Sequence, residues 1–192
     1  MNKIIKNTMI LTAITLVSGL LLGGVYEVTK APIASANEKA KKEAWQAVFP
    51  EADLSDFESL EVDESISTAV AESLDEKVVV DEVCQVGDLG YVITTTDSEG
   101  YGGDIQVTVG ISKDGSITGI SILSISETAG LGMKAKEASF YEQYVGEATD
   151  GFYVSKDGGD GTAIDAISGA TITSRAMTGA VNEAIGYFKE AF

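Results

Sequence analysis

One uninterrupted apolar run near the N-terminus limits what this chain can fold into more than any other feature. Residues 9–28 contain a single charged side chain, Glu27, which lies close to the end of the run. A run of about 20 apolar residues can span a bilayer, and there it must be helical because no water is present to hydrogen-bond its backbone. Lys3 and Lys6 precede the run, which favours a cytoplasmic N-terminus and an extracytoplasmic location for the remaining residues.

A cleaved signal peptide is the alternative interpretation of the same run. Residues 34–36 read Ala-Ser-Ala, which resembles a cleavage site. The apolar run, however, is long for a signal peptide, and the tripeptide lies far beyond its end. We therefore predict a retained, single-pass membrane anchor over residues 1–30.

Charge is distributed unevenly between the anchor and the rest of the chain. Residues 1–42 contain six Lys and two acidic residues, whereas residues 43–192 contain seven basic and 28 acidic residues. A domain with so large an excess of negative charge repels nucleic acid and anionic lipid. We therefore predict no nucleic-acid partner.

The chain of 192 residues contains no His and a single Cys, Cys84. These absences exclude His-dependent catalytic pairs, His-ligated haem, an intrachain disulfide and an iron–sulfur cluster. We predict no metal site and no catalytic residue. A redox function would therefore require an organic cofactor. The apolar neighbours of Cys84 predict a buried position in a strand.

The rest of the chain predicts an α+β fold with one mainly antiparallel sheet and helices packed on one side of it. Residues 34–49 have a helical pattern that Pro50 ends, and residues 51–76 are acid-rich, which predicts a loop with short helical pieces. Strand patterns begin at residue 77, and alternating apolar residues over 104–125 predict a β-hairpin. The predicted regions are a helical stalk and acidic connection over 31–76 and a folded domain over 77–192.

Two glycine-rich clusters flank the predicted hairpin and therefore lie at the same end of it. They are Gly-Tyr-Gly-Gly at residues 100–103 and Glu-Thr-Ala-Gly-Leu-Gly at residues 127–132. Further on, Ser168-Gly169-Ala170-Thr171 leads into an amphipathic helical pattern, whose N-terminus offers free N–H groups to a phosphate. Each segment alone is typical of a turn or a helix cap. Together they predict a pocket for a flat ligand that carries a phosphate.

The order of these motifs resembles the FMN-binding domain of bacterial respiratory complexes. With one N-terminal anchor and this short length, the chain most resembles the family of G subunits of Rnf electron transport complexes. The chain is also similar to the C subunit of the sodium-translocating NADH:quinone reductase, but that subunit is usually longer and therefore resembles this chain less. The family has Glu-Thr-Pro-Gly-Leu-Gly where this chain has Ala129 in place of Pro.

The resemblance implies that FMN is covalently bound through its phosphate to Thr171. A flavin transferase would recognise Asp165 and the turn that precedes Thr171. Thr173 and Ser174 are the alternative attachment points, and Arg175 is a candidate partner of the phosphate. The implied cofactor-binding residues are Asp165, Ser168, Gly169, Ala170, Thr171, Arg175, Glu127, Thr128, Gly130, Leu131, Gly132, Tyr101 and Gly102. Tyr101 is expected either to stack on the flavin or to fill the core of the sheet.

The function implied by the resemblance is electron transfer without substrate chemistry. The flavin would receive electrons from one redox subunit of a membrane complex and pass them to another, in a complex that couples ferredoxin:NAD oxidoreduction to ion export. A stand-alone extracytoplasmic flavin reductase and a cofactor-free surface binding module are the alternatives.

Overall fold

The computed structural model describes residues 2–74, 77–146 and 148–192, in two compact units that divide between residues 40 and 41. Helix α1 (Lys3–Val48) begins in the first unit and ends in the second. All side chains of residues 9–28 are exposed, and the most apolar 18-residue window of α1 has a mean hydropathy of 2.0. Among the described residues, α1 is the one helix long and apolar enough to cross a membrane. The predicted helix over residues 34–49 is confirmed as the last part of α1.

Five antiparallel strands form the main sheet and follow one another in chain order. They are β1 (Phe57–Leu60), β2 (Val78–Val86), β3 (Gly90–Asp97), β4 (Ile105–Ser112) and β5 (Ile117–Ser124). Strands β2 to β5 are rich in Val, Ile and Thr, whose branched side chains suit a pleated sheet. The predicted hairpin over residues 104–125 is confirmed, because β4 and β5 pair with Val109 opposite Ile120.

The acid-rich stretch before residue 77 contributes more regular structure than its sequence suggests. A short 3₁₀ turn (Leu54–Asp56) leads into β1, and α2 (Glu64–Leu74) follows. Helix α2 agrees with the short helical pieces that we predicted, but β1 does not. Its sequence, Phe-Glu-Ser-Leu, lacks an alternating apolar pattern, and neither end residue is fully buried at this edge of the sheet.

The C-terminal helix covers one face of the sheet. Between β5 and this helix lie α3 (Ala138–Tyr141), two 3₁₀ turns (Gly132–Lys136 and Glu142–Tyr144) and a parallel pair of short strands, β6 (Phe152–Val154) and β7 (Thr162–Ile164). Helix α4 (Thr171–Ala191) packs on β3 and β4 through its apolar stripe. The buried residues of that stripe are Met177, Ala180, Val181, Ala184 and Ile185. The predicted amphipathic helix is therefore confirmed.

The opposite face of the sheet receives the last turns of α1 within the second unit. Val48 is fully buried above Gly110 and Gly119, which are paired across β4 and β5. The Thr118 hydroxyl donates a hydrogen bond of 2.6 Å to the Val48 carbonyl oxygen. Cys84 is fully buried in the same apolar cluster, as predicted. Helices therefore cover both faces of the sheet, and the prediction that they pack on one side is wrong because the last turns of α1 bury apolar side chains against the second face.

Candidate functional site

A cavity of about 600 Å³ lies where the glycine-rich end of the β4–β5 hairpin meets the N-terminus of α4. Both glycine-rich clusters reach it, as the hairpin prediction requires, and the loop between β6 and β7 adds one side chain, Lys156. Its lining residues are Tyr101, Glu127, Thr128, Leu131, Gly132, Lys156, Gly169, Ala170, Thr171, Ile172 and Thr173. The three motifs identified in the sequence thus form one site.

Glu127 places a buried carboxylate in the wall of this cavity. The residue is 8% exposed, and its Oε1 atom has no hydrogen-bond partner among the described residues. A Cβ atom on Gly132 would lie 2.8 Å from Glu127 Oε2 and 2.6 Å from Thr173 Oγ1. Gly132 is therefore required for this close packing. The free Oε1 atom leaves a hydrogen-bond acceptor for a donor on a ligand.

Backbone contacts bring the two glycine-rich clusters together. A Cβ atom on Gly102 would overlap the carbonyl oxygen of Ser126, which directly precedes Glu127. Gly102 therefore joins the loops without lining the cavity. Tyr101, beside it, is 71% exposed, so it does not fill the core of the sheet and its ring is available at the mouth of the cavity.

Three hydroxyl side chains lie in the first turn of α4, and they differ in accessibility. Thr171 is half-buried and accepts a hydrogen bond of 3.3 Å from Lys156 Nζ. Thr173 is 1% exposed. Ser174 is fully buried, with its Oγ donating to the Ala170 carbonyl oxygen and accepting from the Ile167 amide, both at 3.0 Å. Thr171 is thus the most accessible of the three.

The N-terminus of α4 has no side-chain cap at Ala170. The amide groups of the first three residues of α4 have no acceptor within the helix and therefore remain available to an anion. Gly169 allows this approach with a φ of +79°, in the left-handed region that favours glycine.

In addition to Gly102, four of the predicted cofactor-binding residues do not line the cavity. Asp165 and Ser168 have exposed side chains, and the backbone of Asp165 is held by the side chain of Gln143 through N–H to Oε1 at 2.8 Å. Gly130 is exposed in the turn before Leu131, with a φ of +75°. Arg175 lies in a neighbouring, smaller cavity. These residues shape or flank the site.

Arg175 forms an ion pair with the carboxylate of Asp157. Its Nε and Nη2 atoms donate to the two carboxylate oxygens of Asp157 at 2.8 and 2.5 Å. This hydrogen bonding lowers the pKa of Asp157 from its ordinary value and raises the pKa of Arg175. Lys156, the residue before Asp157, is the cation that lies beside Thr171. No local pattern in the sequence points to Lys156, because the fold of a separate loop brings it to α4.

Comparison with known proteins shows the family to which this chain belongs. The chain matches the FMN-binding domain family over residues 100–186 and the RnfG N-terminal region over residues 1–48. It is 34% identical over 195 residues to the G subunit of the Na(+)-translocating ferredoxin:NAD(+) oxidoreductase complex of Acetobacterium woodii, covering 97% of this chain and 92% of that protein. It is 31% identical over 186 residues to the proton-translocating counterpart in Clostridium ljungdahlii, covering 96% and 91%.

A solved structure shows the same fold. The C subunit of the Na(+)-translocating NADH-quinone reductase of Parabacteroides distasonis aligns with a TM-score of 0.51 at 21% identity, covering 80% of this chain and 90% of that one. The fold and the cavity thus define a membrane-associated protein with an FMN-binding domain. The chain belongs to the family of G subunits of Rnf ion-translocating oxidoreductase complexes. The resemblance drawn from its motifs is confirmed, and with it the role of an FMN-dependent electron-transfer subunit.

Proposed function

We propose that this chain holds FMN as a phosphoester on Thr171 and passes electrons between other redox subunits at the outer side of the membrane. The observation that carries the proposal is the position of the Thr171 hydroxyl. Thr171 is the first residue of α4, lines the cavity and is half-buried, whereas Thr173, which also lines the cavity, is 1% exposed and Ser174 is fully buried. A phosphoester oxygen has to be accessible to the flavin transferase, and Thr171 meets this requirement.

The cavity fits FMN in size and in chemistry. Its volume of about 600 Å³ falls within the roughly 300–1,000 Å³ that cofactor sites occupy. The uncapped N-terminus of α4 suits the phosphate, and Glu127 Oε1 offers an acceptor to a flavin N–H or ribityl hydroxyl. Tyr101, Leu131 and Ile172 line the cavity and are 71%, 43% and 46% exposed, which suits contact with the isoalloxazine ring.

Bound FMN would supply the electron-accepting and electron-donating chemistry that the side chains of this protein lack. The protein holds the phosphate, orients the ring and leaves it close to the surface for partner subunits. A covalent bond keeps the cofactor at high effective concentration, which matters outside the cytoplasm, where a dissociated flavin is lost.

Attachment at Thr171 is tested by in-gel flavin fluorescence of the denatured protein and by the mass of the peptide over residues 165–175. The full chain is expressed with a flavin transferase. We expect Thr171→Ala to abolish fluorescence, because no hydroxyl remains at the motif position. Thr171→Ser retains a hydroxyl and is expected to keep fluorescence, as is Thr173→Ala. Undiminished fluorescence in Thr171→Ala would contradict attachment at this residue.

A further inference from the structure

Lys156 lies beside the hydroxyl that we assign to the phosphoester. Its Nζ atom donates to Thr171 Oγ1 at 3.3 Å, and its side chain lines the same cavity. In the part of the chain that the structure describes, no carboxylate forms an ion pair with Lys156. The ammonium group is therefore available to a negatively charged ligand. A phosphorus atom bonded to Thr171 Oγ1 would bring its remaining oxygens within reach of this group.

The surroundings of Lys156 make this cation distinctive. Residues 43–192 contain 28 acidic and seven basic residues, so most of the domain surface repels an anion. The uncapped N-terminus of α4 and the Lys156 ammonium both favour an anion at Thr171, and they do so although Glu127 lines the same cavity and Asp157 is adjacent to Lys156. A lysine acts on a phosphate as a point charge and needs no fixed bidentate geometry.

The ion pair between Asp157 and Arg175 fixes the loop that carries Lys156. Arg175 lies one helical turn after Thr171 on α4, and it binds both carboxylate oxygens of Asp157. Further along α4, the Asn182 side chain accepts from the Phe152 amide at 2.8 Å and donates to the Phe152 carbonyl oxygen at 2.9 Å. The segment from Phe152 to Asp157, which includes Lys156, is thus attached at both ends to α4, the helix that carries Thr171.

We propose that Lys156 is the cationic partner of the phosphate on Thr171. Arg175 does not bind the phosphate; through Asp157 it positions the loop that carries Lys156. This inference rests on the proposed attachment of FMN to Thr171. It replaces the expectation from the sequence that Arg175 binds the phosphate directly.

The test compares thermal unfolding of the full chain in detergent with and without FMN on Thr171. The unmodified form comes from cells that lack the flavin transferase, and occupancy is measured by mass. We expect flavinylation to raise Tm more in the wild type than in Lys156→Gln, by about 2–4 °C at low salt. This difference between the wild type and Lys156→Gln should shrink between about 20 mM and 500 mM NaCl, because salt screens an exposed charge pair. Lys156→Arg should retain the rise seen in the wild type.

Lys136→Gln is the matched control, since Lys136 is exposed and does not line the cavity. It should leave the flavin-dependent rise in Tm unchanged. As a single substitution, Arg175→Gln should reduce the flavin-dependent rise in Tm. Added to Lys156→Gln, it should reduce that rise no further. A further loss in that background would assign the phosphate contact to Arg175 and overturn the positioning role.

The result also separates the two proposals. If Thr171 carries FMN and Lys156→Gln shows the same rise in Tm and the same salt dependence as the wild type, Lys156 does not bind the phosphate. If Thr171 of the wild type carries no FMN, both the attachment and the phosphate site are overturned.

Discussion

Two buried glutamates in the domain have a carboxylate oxygen without a partner among the described residues, and their surroundings differ. Glu127 lines the cavity, where a cofactor would be a possible source of the missing hydrogen bond. Glu183 is 0% exposed on α4 and accepts one hydrogen bond, from Ser67 Oγ of α2 at 3.2 Å. Ser67 Oγ also accepts from the Val80 amide at 3.1 Å. Glu183 thus joins α2, α4 and β2, but at the cost of burying an ionisable group.

Glu183 makes the stability of the domain depend on pH. Burial raises the pKa of Glu183 from 4.5 to about 7. Between these values the folded chain keeps a proton that the unfolded chain releases, so the free energy of unfolding falls as pH rises through this window. We expect Glu183→Gln, which cannot ionise, to gain stability relative to the wild type as pH rises from about 4.5 to about 8, on the order of 3 kcal/mol.

Urea unfolding at several pH values, followed by the fluorescence of Trp45, measures this difference. Comparison of variant and wild type cancels the contributions of the other acidic residues. Glu190→Gln, an exposed position on the same helix, is the control and should parallel the wild type. A Glu183→Gln curve that also parallels the wild type would show that the Glu183 carboxyl is not neutral in the folded protein.

At the residue scale, the sequence predicts Thr171 as the attachment point, and the cation beside it is evident only from the structure. The hydroxyl pattern before α4 and the glycines of the two clusters are local signals, so their place in one cavity could be predicted from the hairpin. The partner of Arg175 and the position of Lys156 depend on the pairing of β6 with β7 and on their attachment to α4. The three-residue strands involved are too short to give a periodic pattern.

At the scale of elements, the strength of the periodic signal decided what could be predicted. Strand β4 alternates apolar and polar residues, and the apolar positions of α4 follow the helical repeat, so both were predicted. Strand β1 has four residues at the edge of the sheet, and its two apolar side chains are not fully buried. Its pairing with β2, with Ser59 opposite Cys84, is a tertiary contact that no local pattern indicates.

The last turns of α1 pack closely on the sheet because β4 and β5 have glycines, Gly110 and Gly119, at the point of contact. A Cβ atom on Gly119 would lie 2.9 Å from the Val48 Cα atom, and one on Gly110 would lie 2.8 Å from Val48 Cβ. We expect Gly119→Ala to destabilise the domain by about 1–3 kcal/mol, because the contact is with backbone and cannot be relieved by rotating a side chain.

The measurement is urea unfolding of the full chain in detergent, with Trp45 as the probe because it lies in the apolar cluster around Val48. Gly151→Ala is the matched control, since its Cβ atom would come no closer than 3.4 Å to any neighbour, Asn182 Oδ1. Equal unfolding midpoints for the two variants would mean that the docking of Val48 does not depend on the absence of a side chain at Gly119.

At the scale of the whole molecule, the N-terminal apolar run and the acidic domain were both evident from the sequence. The exposed apolar side chains of residues 9–28 agree with contact with lipid. Six of the 13 basic residues precede residue 43, and all six lie within α1. The two Lys residues before the apolar run, Lys3 and Lys6, favour a cytoplasmic N-terminus.

The predicted orientation can be measured by labelling single cysteines with a membrane-impermeant maleimide. We expect Glu190→Cys, at the exposed end of α4, to react in intact cells, and Asn2→Cys to react only after lysis. The native Cys84 should stay unlabelled in both, because it is fully buried and burial raises the pKa of its thiol to about 11, which suppresses the reactive thiolate. The wild-type chain is therefore a ready control. The opposite labelling pattern would place the flavin domain in the cytoplasm, and an Asn2→Cys chain that loses its label from the mature band would indicate a cleaved signal peptide.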